Sequence, residues 1–316
     1  MAIFNNRNKE KRELGFGSKH YEKPVRFINN DGSVNVRRTG LNGLNNLDIY
    51  HWLIRASRIK LALVIGIGYI VTNLFFAIIY YLIGAEQFGG LDTSTEFQKF
   101  MSLFFFSAQT ITTLGYGHIY PVANTASIAA AFESLLGLLS FAIATGILFG
   151  RFSRPKADML YSKNILIAPY ESINGLMFRI TNKKQYELIE AEASVNVAMN
   201  DPITNKREFY NLPLEISKIN FLALSWTIVH PIDENSPFYK LTKHQLTERD
   251  AEILILIKAV DETFSNAVYS HYSYKADELI ENAKFKPLKQ EVDRKGKVKV
   301  SVTDIHLYNL VEPKKI

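Results

Sequence analysis

The chain has 316 residues, 47% hydrophobic and 22% charged, with 37 Lys and Arg against 31 Asp and Glu. That average suits a soluble globule, but the charges are too strongly segregated for a wholly soluble chain or for general disorder. Cysteine is absent, which excludes disulfide staples, thiol catalysis and thiolate-bound zinc or iron–sulfur centres.

The first 60 residues carry 12 Lys or Arg and 5 Asp or Glu, a net of +7. Residues 1–46 read as an N-terminal arm. In residues 47–58, Leu47, Ile49, Tyr50, Trp52, Leu53 and Ile54 alternate with Asp48, Arg55 and Arg58. The mixture predicts an amphipathic helix lying in the membrane interface; the first turns of the following span are the alternative. Leu61–Ala85 is then free of charge for 25 residues. As a helix it rises about 37 Å, enough to cross a ~30 Å hydrocarbon core with some tilt. A retained span is expected over about 60–84, since a signal peptide would place its apolar run nearer the start. The linker Gly84–Lys99 is net acidic, with Glu86, Asp92 and Glu96 against Lys99.

A second span is expected over about 123–151, where Glu133 is the only charge before Arg151. Arg154 and Lys156 follow. Basic flanks outside both spans and an acidic stretch between them place both termini in the cytoplasm.

Between the spans lies a third uncharged run, Phe100–Gly117, reading FMSLFFFSAQTITTLGYG. A third crossing would put the two basic flanks on opposite sides of the membrane. Polar residues (Ser107, Gln109, Thr110, Thr112, Thr113) crowd its end, and Gly115 and Gly117 interrupt a helix. The expectation is a re-entrant pore helix over about 98–110, returning as an extended strand over 113–117. Extended backbone at membrane depth is tolerated only where protein buries it or where water and ions meet it. In Thr113-Leu114-Gly115-Tyr116-Gly117, glycine permits the positive φ that turns successive carbonyls toward one axis, where they replace a K⁺ ion's water. The Thr113 hydroxyl adds a ligand at the inner mouth, while Leu114 and Tyr116 brace the ring by packing. One chain supplies a quarter of each cage, so a homotetramer is expected.

Beyond Arg151 the pattern changes to short alternating runs at Ile165–Ala168, Gly175–Thr181, Ser194–Met199 and Ile253–Val260, with dense Pro and Asn punctuation. Residues 153–316 therefore read as an all-β domain, most simply a sandwich. The run ILILIKAV predicts a strand buried on both faces. No nucleophile elbow or phosphate-binding glycine loop is present, and the histidines lack metal-like spacing. An enzyme is not expected, nor any cofactor or nucleic-acid partner, and neither span carries the Arg repeat of a voltage sensor.

TLGYG at 113–117, DIYHWLIRAS at 48–57, FGRFSRP at 149–155 and WTIVHPIDENSP at 226–237 together resemble the inward-rectifier potassium channels, particularly their prokaryotic members. The resemblance runs over roughly residues 45–290. It implies a slide helix (47–58), a transmembrane pore domain (59–152) and an immunoglobulin-like cytoplasmic sandwich that continues the pore, in the inner membrane of a bacterial cell. It also implies that Phe149 is the hydrophobic bundle-crossing gate. Gln109 stands where many relatives carry a filter-bracing glutamate, with Thr112 and Glu133 as further filter support. Phe141 stands where strong rectifiers carry a pore-facing acid, so Mg²⁺ and polyamine block is expected to be weak; Ba²⁺ is a further test blocker. Gly137 and Gly146 suit either close helix packing or a hinge. Arg55, Arg58, Lys60, Arg151, Arg154 and Lys156 suit either anchoring or an anionic-lipid site for phosphoinositide-like headgroups. His230 and His271 are candidates for coupling protonation to gating. The competing function is a ligand-gated potassium channel of another two-span family, with the β domain as sensor.

Overall fold

The computed structural model describes Gly15 and residues 25–37, 39–40, 49–153, 157–184 and 186–312, with the side chains of His51 and Arg55 excepted. These residues form two compact units, residues 40–154 and residues 1–39 with 155–316.

In the first unit, α1 (Ile49–Arg55) lies within the segment 47–58 read from the sequence as one helix, which Ala56 and Ser57 instead separate from α2. The α2 helix (Arg58–Ile83) starts where the Ser57 hydroxyl accepts the Lys60 N–H, and it stops at Gly84, whose φ of +111° is open to glycine. After α2, β1 (Phe88–Gly89) leads to α3 (Glu96–Ile111), whose N-cap is Thr95. The short β2 (Tyr120–Pro121) precedes α4 (Asn124–Phe152). At 1.5 Å per residue, α2 and α4 are about 39 and 43 Å long, whereas α3 is only about 24 Å. Both long helices are apolar enough to cross a membrane, and most of their length is exposed in the single chain. A soluble protein would bury such helices; here Leu63, Ile67, Phe75, Leu82, Leu138 and Ile143 all face outward, as lipid or further copies of the chain require.

A compact aromatic core joins the three longer helices. Tyr80, Phe88 and Phe106 stack edge-on with centroids 5.1–5.4 Å apart, and Leu103, Ala126 and Ala130 fill the space around them.

The second unit is built mainly of strands: β3 (Met159–Tyr161), β4 (Ile165–Tyr170), β5 (Ile173–Asn182), β6 (Leu188–Asn200), β7 (Arg207–Asn211), β8 (Lys218–Phe221) and β9 (Trp226–Ile232). A short helix, α5 (Lys243–Glu248), precedes β10 (Glu252–Asp261), β11 (Asn266–Lys275) and β12 (Leu279–Glu281). One five-stranded sheet runs β11-β10-β6-β7 with β8 also on β6, and the other runs β12-β4-β5-β3 with β9 on β5. Among the described residues, only the β12–β4 pairing is parallel. Ile165, Phe178, Trp226, Val195, Val197, Ile253 and Ile255 from both sheets share one core. The antiparallel pair of β13 (Ala283–Phe285) with β16 (Tyr308–Leu310), and between them the hairpin of β14 (Gln290–Val292) with β15 (Val298–Val300), are the last of the described strands.

The four expected strand runs lie inside β4, β5, β6 and β10. Leu254, on the outer face of β10, is covered by Phe27 and Ile28 of the N-terminal arm, together with Ala198 and Phe209. The arm is fastened there by Glu252, a fully buried carboxylate that accepts the N–H groups of Phe27 and Ile28 at 2.9–3.2 Å. Asp250 stands beside it, paired to Arg207 at 2.8 Å and to Lys275 at 2.7 Å. A carboxylate inside a protein is tolerable only when its lone pairs are occupied, and the arm's amides occupy those of Glu252.

Candidate functional site: the segment between α3 and α4

The C-terminus of α3 closes in a Schellman motif, with the Leu114 N–H on the Gln109 carbonyl at 2.9 Å and the Thr113 N–H on the Thr110 carbonyl at 3.0 Å. This motif needs a left-handed residue after the cap, and glycine usually provides it. Here Thr113 takes that place at φ +58°, a strained conformation for a β-branched side chain. Gly115 (φ +54°) and Gly117 (φ +78°) follow in the same region of backbone space. Residues 114–116 belong to neither helix nor strand, and 112–118 are exposed in the single chain. Among the described residues, no backbone N–H is hydrogen-bonded to the carbonyls of Thr113, Leu114, Gly115, Tyr116 or Gly117. Five consecutive carbonyls, all on exposed residues, are therefore free of backbone donors.

The segment is held at both ends. Below it, the Gln109 carbonyl also lies 3.4 Å from the Gly115 N–H, and the Thr112 hydroxyl donates to the Ala108 carbonyl at 2.7 Å. Gln109 thus reaches the segment through its backbone. Above it, β1 pairs antiparallel with β2, and the Val122 N–H donates to the Gln87 carbonyl at 2.9 Å. Gly90 lies so close to this return that a Cβ there would sit 1.8 Å from the His118 carbonyl oxygen.

Glu133 of α4 is fully buried behind α3, with one carboxyl oxygen in hydrogen-bond contact with the Tyr80 hydroxyl and the other with the Ser107 hydroxyl. One turn further along α4, a Cβ on Gly137 would lie 2.1 Å from the Ile111 carbonyl oxygen, so glycine is required for this approach of α4 to α3. Gly146 has open space around it. A concavity of about 590 Å³ below the segment is lined by Tyr69, Thr72, Thr112, Thr113, Ser140 and Phe141 among others. Phe141 and Phe149 are both exposed in the single chain.

Of the six cations singled out in the sequence, Arg58 and Lys60 are exposed at the start of α2. Arg151 is half-buried and donates to the Ala56 carbonyl at 2.5 Å, tying the end of α4 to the turn after α1. Arg154, Lys156 and the side chain of Arg55 lie outside the described residues.

In the β-rich unit, His230 is buried, with Nδ1 2.6 Å from the Pro213 carbonyl and Nε2 2.9 Å from the Ser236 hydroxyl. The carbonyl can only accept, so Nδ1 carries the proton and Nε2 accepts from Ser236. Burial lowers the His230 pKa from 6.5, against the opposing effects of the Pro213 carbonyl and Asp233. The unfolded chain therefore takes up a proton that the folded chain resists. The stabilisation is complete above about pH 6.5 and is lost as pH falls through the lowered folded value. Thermal denaturation is expected to show falling stability below about pH 6.5, with a shallower slope for His230→Asn. An unchanged slope in that variant would remove His230 as the cause. His271 is exposed.

The inward rectifier potassium channel C-terminal domain family matches residues 159–315, and an ion channel family matches residues 67–154. The chain is 34% identical over 270 residues to the inward rectifier potassium channel Kirbac3.1 of Paramagnetospirillum magnetotacticum, covering 84% of this chain and 89% of that one. It is 25% identical to ATP-sensitive inward rectifier potassium channel 12 of Gallus gallus, covering 93% and 74% of the two chains. G protein-activated inward rectifier potassium channel 2 of Mus musculus is 27% identical, with 84% and 68% covered.

Proposed function

Because this chain belongs to the inward-rectifier potassium channel family, we propose that Thr113–Gly117 is its selectivity filter and that four copies close it around one axis. The chain is a potassium channel subunit, with two membrane-spanning helices and a C-terminal β-rich domain, and it performs no catalysis. One observation carries the filter assignment: five successive carbonyls without a backbone donor, on a segment whose two glycines and Thr113 have positive φ. Carbonyl oxygens so freed replace the hydration shell of K⁺ as it passes down its gradient, and the Thr113 hydroxyl adds an oxygen at the inner mouth.

In this reading α3 is a re-entrant pore helix. Its about 24 Å is too short to cross and return, but long enough to deliver the filter to mid-membrane. With α2 and α4 as the two crossings, both termini lie on the cytoplasmic side and the β-rich unit is an immunoglobulin-like cytoplasmic sandwich. The concavity lined by Thr112, Thr113 and Phe141 belongs to the water-filled inner vestibule. Phe141 offers no charge there to Mg²⁺ or polyamines, so rectification is weak. Phe149, at the far end of α4, narrows the pore by dewetting. Arg58 and Lys60, with the further cations 55, 151, 154 and 156, attract anionic lipid headgroups at the interface.

Reconstitution tests the assignment. Liposomes loaded with K⁺ and carrying the channel are expected to accumulate radioactive Rb⁺, with block by Ba²⁺ and little competition from Na⁺. Equal competition by Na⁺ and K⁺ would refute the filter. Adding phosphoinositide to the same liposomes, against Arg58 and Lys60 neutralised together, reads the lipid dependence.

A further inference from the structure

Behind the filter, four side chains from three helices meet with no solvent. Tyr80 and Asn73 come from α2, Ser107 from α3 and Glu133 from α4, and Tyr80, Asn73, Ser107 and Glu133 are all 0% exposed. Their contacts form a line. Tyr80 Oη meets Glu133 Oε2, Glu133 Oε1 meets Ser107 Oγ, and Ser107 Oγ meets Asn73 Oδ1 at 3.0 Å. The line ends where Asn73 Nδ2 donates to the Tyr69 carbonyl at 2.7 Å.

The hydrogens can be counted. Three oxygen-to-oxygen contacts need three protons, and the Tyr80 and Ser107 hydroxyls provide only two. Turning the Asn73 amide over would supply a third donor, but it would set the amide oxygen 2.7 Å from the Tyr69 carbonyl oxygen, acceptor against acceptor. The missing proton has one place left. We infer that Glu133 is a neutral carboxylic acid, donating to Ser107 while accepting from Tyr80, and that in this form it is the positioning residue that registers the pore helix against both spans. Ser107 then passes its own hydrogen to Asn73, so every donor points the same way along the line. Charge gives a second argument. Among the described residues, no cation lies within ion-pair distance of Glu133, and an unpaired carboxylate at this depth is costly. Ser107 lies on α3, six positions before Thr113 and four before the helix ends at Ile111, so its register sets where the filter begins.

The proton count stands on the hydrogen bonds alone; its consequence for ion selection rests on the filter reading. A glutamine has the donor and acceptor of a protonated glutamate, whereas alanine leaves both hydroxyls stranded. Infrared spectra of the reconstituted channel at neutral pH are expected to contain a protonated-carboxyl C=O band that Glu133→Gln abolishes. The K⁺-over-Na⁺ flux ratio of Glu133→Gln is expected to stay within about twofold of wild type, while Glu133→Ala lowers it about tenfold or more. Absence of the band, or a Glu133→Gln ratio as low as that of Glu133→Ala, would overturn the inference. If Glu133→Ala does not assemble, the band and the glutamine variant still decide. A wild-type channel without K⁺ preference refutes the filter instead, and leaves the infrared result to judge the acid.

Discussion

Gly115→Ala channels are expected to assemble but to lose K⁺-selective flux almost entirely. The cause is conformational, since nothing lies within 4 Å of a Cβ built on Gly115 in the single chain, yet its φ is +54°. An L-residue held there costs about 1–2 kcal/mol, and the proposed ring of four would incur this in every copy. Thr113, two residues earlier, already occupies the same region at φ +58°. The segment thus carries strain at its first residue and depends on glycine for its next left-handed turn. Alanine relaxes toward negative φ, which swings the carbonyls on either side of it away from the proposed pore axis. Folding and chemistry separate cleanly in the measurement. Size-exclusion chromatography reports assembly, which the remote α2 core should preserve, and Rb⁺ uptake with Na⁺ competition reports the filter. Gly68→Ala in α2, where a Cβ also meets open space but φ is not positive, provides the matched control. Selective flux in Gly115→Ala equal to that of Gly68→Ala would mean that Gly115 contributes no special backbone geometry.

The spans were legible because long charge-free runs with basic residues on their outer flanks are a one-dimensional signal, and the flanks separate them from the equally uncharged Phe100–Gly117. α2 and α4 accordingly begin and end within about two residues of the expected bounds, shifted only by caps such as Ser57. The proposed filter rests on a related kind of signal, because carbonyl ligation is backbone chemistry and the glycines that permit it are visible in the sequence. What escaped were arrangements made by uncharged or distant partners. Glu133 stood out as a lone acid, but Tyr80, Asn73 and Ser107 are ordinary helix residues until three helices bring them together. The arm over Leu254 escaped as well. Arg26–Ile28 reads as part of a basic tail, and its partner Glu252 lies 224 or more residues away. The two-sided burial of β10 could be read from ILILIKAV, but not what covered its outer face. α5 was within reach, since Thr242 and Gln245 form a capping box three residues apart that an all-β reading passed over.

Gly137 and Gly146 look alike in sequence, nine residues apart on one helix, and their substitution is expected to separate two roles. Gly137→Ala places a methyl 2.1 Å from the Ile111 carbonyl oxygen and 2.9 Å from its carbonyl carbon. Neither atom belongs to a flexible side chain. Ile111 is the last residue of α3, two positions before Thr113, so moving it moves the start of the proposed filter. Relief must come from pushing α4 away, which also stretches the Glu133–Ser107 contact one turn above. Overpacking of this kind costs about 1–3 kcal/mol, and here it falls on the helix that leads into the proposed filter. Gly137→Ala is therefore expected to lower both the thermal stability of the solubilised channel and its K⁺-over-Na⁺ ratio. Gly146→Ala, with nothing within 4 Å, is expected to be neutral or to stabilise by up to about 1 kcal/mol through helix propensity. A hinge gives the opposite pattern, because stiffening α4 changes how often the pore opens and leaves ion preference intact. If Gly137→Ala alters only the magnitude of Rb⁺ uptake, with melting temperature and Na⁺ competition as in wild type, bending rather than close packing is what that glycine supplies.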